Sequence, residues 1–78
     1  MATSLRTLDV NQKARIVSIS AGDEISRRFR DMGLVPGTEI EVVGRAPLKD
    51  PVALRLRDFI LTLRNNEADF IMVEKVEE

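Results

Sequence analysis

Gly33 and the pair Pro36-Gly37 interrupt the chain near its middle and fix two of its elements at once. Ahead of them, Ile25, Phe29 and Met32 recur at i, i+4 and i+7, an apolar stripe on a short helix. Asp23 stands where an N-cap would open that helix, and Gly33 stands one residue past its last apolar position. A residue that tolerates positive φ ends a helix there without strain. In Val35-Pro36-Gly37-Thr38, Pro in second place and Gly in third is the signature of a type II turn. The chain must therefore leave a helix, reverse and start a strand. From Thr38 to Arg45 the residues Thr38, Ile40 and Val42 alternate with Glu39, Glu41 and Val43, the period of a strand with one wet side.

Size restricts what can be built around that joint. The 78 residues make one domain, 1–78, and a core of that size supplies at most roughly 3–5 kcal/mol of stability. There is no Cys and no His, so neither a disulfide nor a zinc site of the usual kind can staple it. A tightly closed sheet is the expected answer. Met1 to Arg6 has no apolar leader core, and no window approaches the roughly 18 apolar residues of a membrane span. A soluble, unexported, cytoplasmic chain is expected, with no membrane insertion of its own.

The other elements are short. Leu5 and Leu8 precede a turn-like Asp9 to Gln12 and are expected to plug one end of the core. Ala14 to Ile19 reads as a first strand, with Ala14, Ile16 and Ser18 on one face and Arg15, Val17 and Ile19 on the other. Pro47 and Pro51 bracket a loop. Val52 to Leu56 and Phe59 to Leu63 form a hairpin that turns near Asp58. Asn65 to Asp69 gives one helical turn opened by an Asn cap, and Phe70 to Val73 is the last strand. The fold expected is mainly β: a small SH3-like barrel of about five strands, with one short helix between the first two.

Chemistry is narrowed by inventory. Without His or Cys no serine has its usual base, and Lys13 lies among solvated types, so no enzyme and no catalytic residues are expected. The glycines are spaced as turn and cap residues rather than as a phosphate loop. Carboxylates, Met32 and Met72 are the remaining metal donors, and both methionines fall within apolar patterns. No cofactor and no dedicated metal site are therefore expected, with weak transition-metal binding left open. A formal net charge of −1, from 12 basic and 13 acidic residues, gives no general attraction to a phosphate backbone, so nucleic acid is not an expected partner. Binding through the surface remains. Its candidates are Arg27, Arg28 and Arg30 on the helix, Arg45 at a strand end, and Leu48 and Lys49 in the proline-bracketed loop. Pairs from Asp23 to Arg27 and from Glu24 to Arg28 offer the helix arginines a plain structural alternative.

Three segments in order carry a family resemblance: Asp31-Met32-Gly33-Leu34-Val35-Pro36-Gly37-Thr38, then Arg45-Ala46-Pro47-Leu48-Lys49-Asp50-Pro51, then Leu61-Thr62-Leu63-Arg64 followed by Glu67-Ala68. Together they resemble the FeoA proteins, small cytosolic accessories of bacterial ferrous iron uptake. The resemblance implies an SH3-like barrel acting on the cytosolic part of FeoB, a membrane permease, and recruitment to the inner face of the membrane. A similar domain closes iron-dependent repressors, so a metal- or DNA-linked regulatory domain is the alternative. No winged helix precedes the domain here, which favours the free-standing accessory. Asn11, Lys49 and Asp58 stand where the family usually has Gly; Asn11 and Asp58 tolerate positive φ and should keep their turns.

Overall fold

The computed structural model describes residues 2–46 and 50–76. Its elements are β1 (Thr3–Ser4), a 3-10 turn (Leu5–Thr7), β2 (Lys13–Ile19), α1 (Asp23–Asp31) and β3 (Glu39–Arg45). They are followed by β4 (Val52–Leu56), β5 (Phe59–Leu63), α2 (Asn65–Ala68) and β6 (Ile71–Lys75). The strands form one antiparallel sheet in the order β1-β6-β2-β3-β4-β5, coiled around a single core in the SH3-like manner. The described residues thus form six strands rather than about five. The added one is a two-residue N-terminal strand that pairs Thr3 with Val73 and Ser4 with Met72. With it counted, α1 lies between the second and third strands.

The joint folds as its residues dictate. The N–H of Gly33 donates to the Arg30 carbonyl at 3.0 Å, and that of Leu34 donates to the Phe29 carbonyl at 2.8 Å, closing α1 with a Schellman motif. Phe29 and Leu34, the two residues joined by the 2.8 Å bond that spans the motif, are both fully buried. Gly33 takes φ +91° and Gly37 φ +94°, and the Thr38 N–H returns to the Val35 carbonyl at 3.1 Å, as a type II turn requires. The turn is then fastened to β2, since the Gly37 N–H donates to the Ile16 carbonyl and the Ile16 N–H to the Thr38 carbonyl. A Cβ at Gly37 would meet nothing, and one at Gly33 would make only an ordinary contact with Leu56. The cost of alanine at either position is therefore conformational. Gly33→Ala and Gly37→Ala are each expected to destabilise by more than about 1 kcal/mol, read as a lower urea midpoint at unchanged slope.

The core gathers Leu5, Leu8, Phe29, Leu34, Leu54 and Ile71, among others, with Ile25 and Met32 packed against it. Leu5 and Leu8 are buried as expected. Two β-bulges change the side-chain phase. The register passes from Ile16 opposite Val73 to Ser18 opposite Met72, which makes Val17 the extra residue. Ile19 is thereby returned to the core side opposite Ile71, and Ser18 and Val17 are exposed, so the straight alternation read for this strand ends at Ile16. In β3 the register passes from Val42 opposite Leu54 to Gly44 opposite Ala53, making Val43 the extra residue.

Local capping differs from the sequence expectation at several points. Gly22, not Asp23, is the N-cap of α1, and Asp23 is its first residue, where its charge meets the helix dipole. Arg64 rather than an Asn caps α2. The Glu67 carboxylate accepts from the Arg64 N–H at 3.0 Å, and the first helical N–H, that of Asn65, donates to the Asp50 carboxylate across the fold at 3.0 Å. Asn11 has φ +74°, as expected, but in the β4–β5 turn the positive φ of +52° falls on Arg57 and not on Asp58. Met72 is half-buried on the sheet face opposite to Ile71 and Val73, so it does not belong to the core stripe.

Candidate interaction surface

Helix periodicity and the Schellman turn together shape one side of the molecule. Burial of Phe29 leaves Arg27 and Arg30 exposed on the opposite side of α1, close to each other because residues three apart share a helix face. Beside them the chain folds back through Leu34, Val35 and Pro36, and a shallow cleft of about 420 Å³ opens between the helix and the turn. Ile19, Leu34, Val35 and Pro36 line it on the apolar side, Ile19 being available because the Val17 bulge rotates it there. Asp23, Ser26, Arg27 and Arg30 line it on the polar side. Ser26 Oγ donates to the Ala21 carbonyl at 3.1 Å, which fixes the start of the helix against the segment that connects it to β2. An apolar floor with two guanidinium groups at its rim can seat a short apolar side chain beside a carboxylate.

Arg28 points elsewhere. Its Nη2 lies 3.4 Å from Glu67 Oε2, so it links α1 to α2. The expected pairs from Asp23 to Arg27 and from Glu24 to Arg28 are not formed among the described residues. Glu39 and Glu41 face arginines across the sheet instead, Arg15 at 3.3 Å and Arg55 at 3.6 Å, which makes the wet side of β3 a field of exposed cross-strand pairs.

Arg45 has a different position from the helix arginines. Because Val43 is bulged out, Arg45 comes opposite Val52 and shares the inward side of the sheet end. Its Nη2 donates to the carbonyls of Arg6 and Leu8, both at 2.7 Å, and its Nη1 approaches Asn65 Oδ1 at 3.5 Å. The guanidinium thus ties the N-terminal turn to β3 and α2, a role that sequence reasoning missed because the two carbonyls are carried by backbone. Leu48 and Lys49 lie outside the described residues. Among the described residues no three acidic side chains converge as a metal site would need. None of their helices is long and apolar enough to cross a membrane.

Comparison with known proteins agrees with this fold. The model of the FeoA domain matches residues 3–75. A curated relative from Porphyromonas gingivalis (strain ATCC BAA-308 / W83), an Fe(2+) transport protein A/Fe(2+) transporter FeoB fusion protein, is 38% identical over 72 residues. That match takes in 92% of the chain, which spans only 8% of the length of the relative. Among solved structures, the FeoA-like protein of Clostridium acetobutylicum superposes with a TM-score of 0.89 at 40% identity, over 99% of this chain and 90% of that one. FeoA of Stenotrophomonas maltophilia, solved with zinc and described as a prokaryotic SH3 domain protein, superposes with a TM-score of 0.78 at 29% identity, over 95% and 89% of the two chains. A manganese-dependent transcriptional repressor shares the fold alone, with a TM-score of 0.86 at 18% identity over 96% of this chain and 42% of its own.

Proposed function

This chain belongs to the FeoA family, whose members are linked to ferrous iron transport, and we propose that it is a protein-interaction module acting on the cytosolic part of a FeoB-type permease. The observation that carries this reading is the Porphyromonas gingivalis protein, in which transport protein A and FeoB are one polypeptide. Two activities joined covalently work at high effective concentration of each other, and separate chains that do the same work need a docking surface instead. The cleft beside α1 is the surface assigned to that role here. Arg27 and Arg30 supply its charge and would meet an acidic patch on the partner, while Ile19, Val35 and Pro36 supply the apolar contact. In this reading the protein is cytoplasmic, is held at the inner face of the membrane by its partner, and is not an enzyme. It neither enters the bilayer nor binds nucleic acid. The part in activating ferrous iron transport raised for the Stenotrophomonas maltophilia protein supports the same assignment. A regulatory domain of the repressor kind has only likeness of fold behind it.

The experiment is a charge reversal read in two ways on one preparation. Replacing Arg27→Glu and Arg30→Glu together should leave the melting curve within about 0.5 kcal/mol of the parent, because both side chains are exposed. Affinity for the isolated cytosolic domain of the permease should fall by at least about tenfold, with the loss growing as salt is lowered. A folded double variant that binds like the parent would remove this face from the interface.

A further inference from the structure

The sheet ends on β5, which among the described residues pairs with β4 and with no other strand. An unpaired edge is a standing template for another strand, and folded proteins usually blunt it with Lys, Glu, Pro, a bulge or brevity. The other edge of this sheet, β1, is only two residues long. β5 has none of these protections: its residues are Phe59-Ile60-Leu61-Thr62-Leu63 and its register with β4 runs without a shift. It also carries Phe59 at 49% and Ile60 at 58% exposure.

The hairpin fixes which backbone groups are available. Leu56 and Phe59 flank the turn and face each other, so Phe59, Leu61 and Leu63 direct their N–H and C=O groups to β4. Ile60 and Thr62 direct theirs outward, and among the described residues no hydrogen bond outside the sheet reaches them.

We propose that this edge pairs with the same edge of a second copy of the chain, antiparallel about a two-fold axis at Leu61. Two-fold symmetry requires one residue to face itself, and the charges at the strand ends select which. With Leu61 opposite Leu61, the N–H and C=O groups of Ile60 meet those of Thr62 of the second copy, and Phe59 lies beside Leu63. Asp58 then lies beside Arg64 at both ends. Asp58 and Arg64 are exposed, and neither has an ion-pair partner among the described residues. Sliding the axis to Ile60 or to Thr62 separates them and sets Arg57 against Leu63 or Arg64 against Ile60. The self-paired register is therefore the one in which outward backbone groups, apolar side chains and charges all find partners. Five residues a side make a small contact, so the dimer forms and dissociates with concentration.

Sedimentation velocity over a concentration series, on the whole chain, tests this with variants checked for parental melting curves. The parent should dimerise reversibly below about 1 mM. Thr62→Pro removes an outward N–H at an edge position where proline is tolerated, and should weaken association at least about tenfold. Asp58→Arg and Arg64→Asp should each weaken it as well, by placing like charges together. An equimolar mixture of those two single variants should recover the parental affinity, because each dimer of one with the other restores both ion pairs. A parent that stays monomeric up to about 1 mM gives the edge to a strand from some other protein and overturns the proposal. Single charge variants that associate like the parent, or a mixture no better than its components, overturn it too.

Discussion

Phe29→Ala is expected to leave most of the protein unfolded at room temperature. The side chain is completely buried, and its carbonyl anchors the bond that closes α1. Truncating a buried Phe to Ala costs about 3–5 kcal/mol in lost transfer energy and residual cavity. A core of this size supplies roughly the same amount in total. No disulfide exists to hold a loosened chain together. Circular dichroism should show lost cooperativity on heating, and urea titration should show a midpoint near zero. Phe29→Leu, which keeps most of the volume, should remain folded with a reduced midpoint. An alanine variant that melts with the parent would mean that the helix does not depend on this anchor.

Arg45→Ala is the second large loss expected, and it is a loss of architecture. The guanidinium donates to two carbonyls at 2.7 Å, and hydrogen bonds of a charged group to such acceptors are worth about 1.5–3 kcal/mol each when desolvated. Part of the side chain remains accessible, so the net cost should be about 2–3 kcal/mol. Arg45→Lys should recover less than half of it, because an ammonium cannot fork between the carbonyls of Arg6 and Leu8 while reaching Asn65. Amide exchange should rise first in residues 5–8, the segment that Arg45 holds down. Affinity for the permease domain, measured below the melting transition, should stay near that of the parent. A variant of parental stability that has lost the partner would reverse this assignment and return Arg45 to the binding surface.

How far the residues disclosed this arrangement depends on the range of the interactions involved. Gly33 and Gly37, which lack a Cβ, and Pro36, whose ring fixes φ, each carry a backbone preference within the single residue, and the Schellman closure and the type II turn stood where that preference put them. The exposure of Arg27 and Arg30 followed from one helical period anchored on Phe29. The bulges at Val17 and Val43 were not legible, because an alternating pattern reads straight through an inserted residue and only the partner strand reveals the slip. Two consequences were hidden with them: the turn of Ile19 towards the core, and the turn of Arg45 from the wet side to the carbonyls of the N-terminal segment. The strand Thr3–Ser4 is too short to hold any period. Asp50 reaches the start of α2 from another part of the chain, so no local cap motif could announce it.

The place of β6 in the sheet has a consequence for synthesis. The strand of this domain that leaves the ribosome after the other five, β6, lies between β1 and β2 and pairs with both. Until it emerges, β1 has nothing to pair with, Ile16 and Ile19 lack the neighbours Val73 and Ile71, and the N-terminal half cannot close a core of its own. Elongation therefore produces no stable folded intermediate, and the domain is completed in one late step whose contacts are distant in sequence. A chain stopped anywhere before Val73 would expose unpaired strands and open core, which is the kind of species that chaperones and proteases act upon.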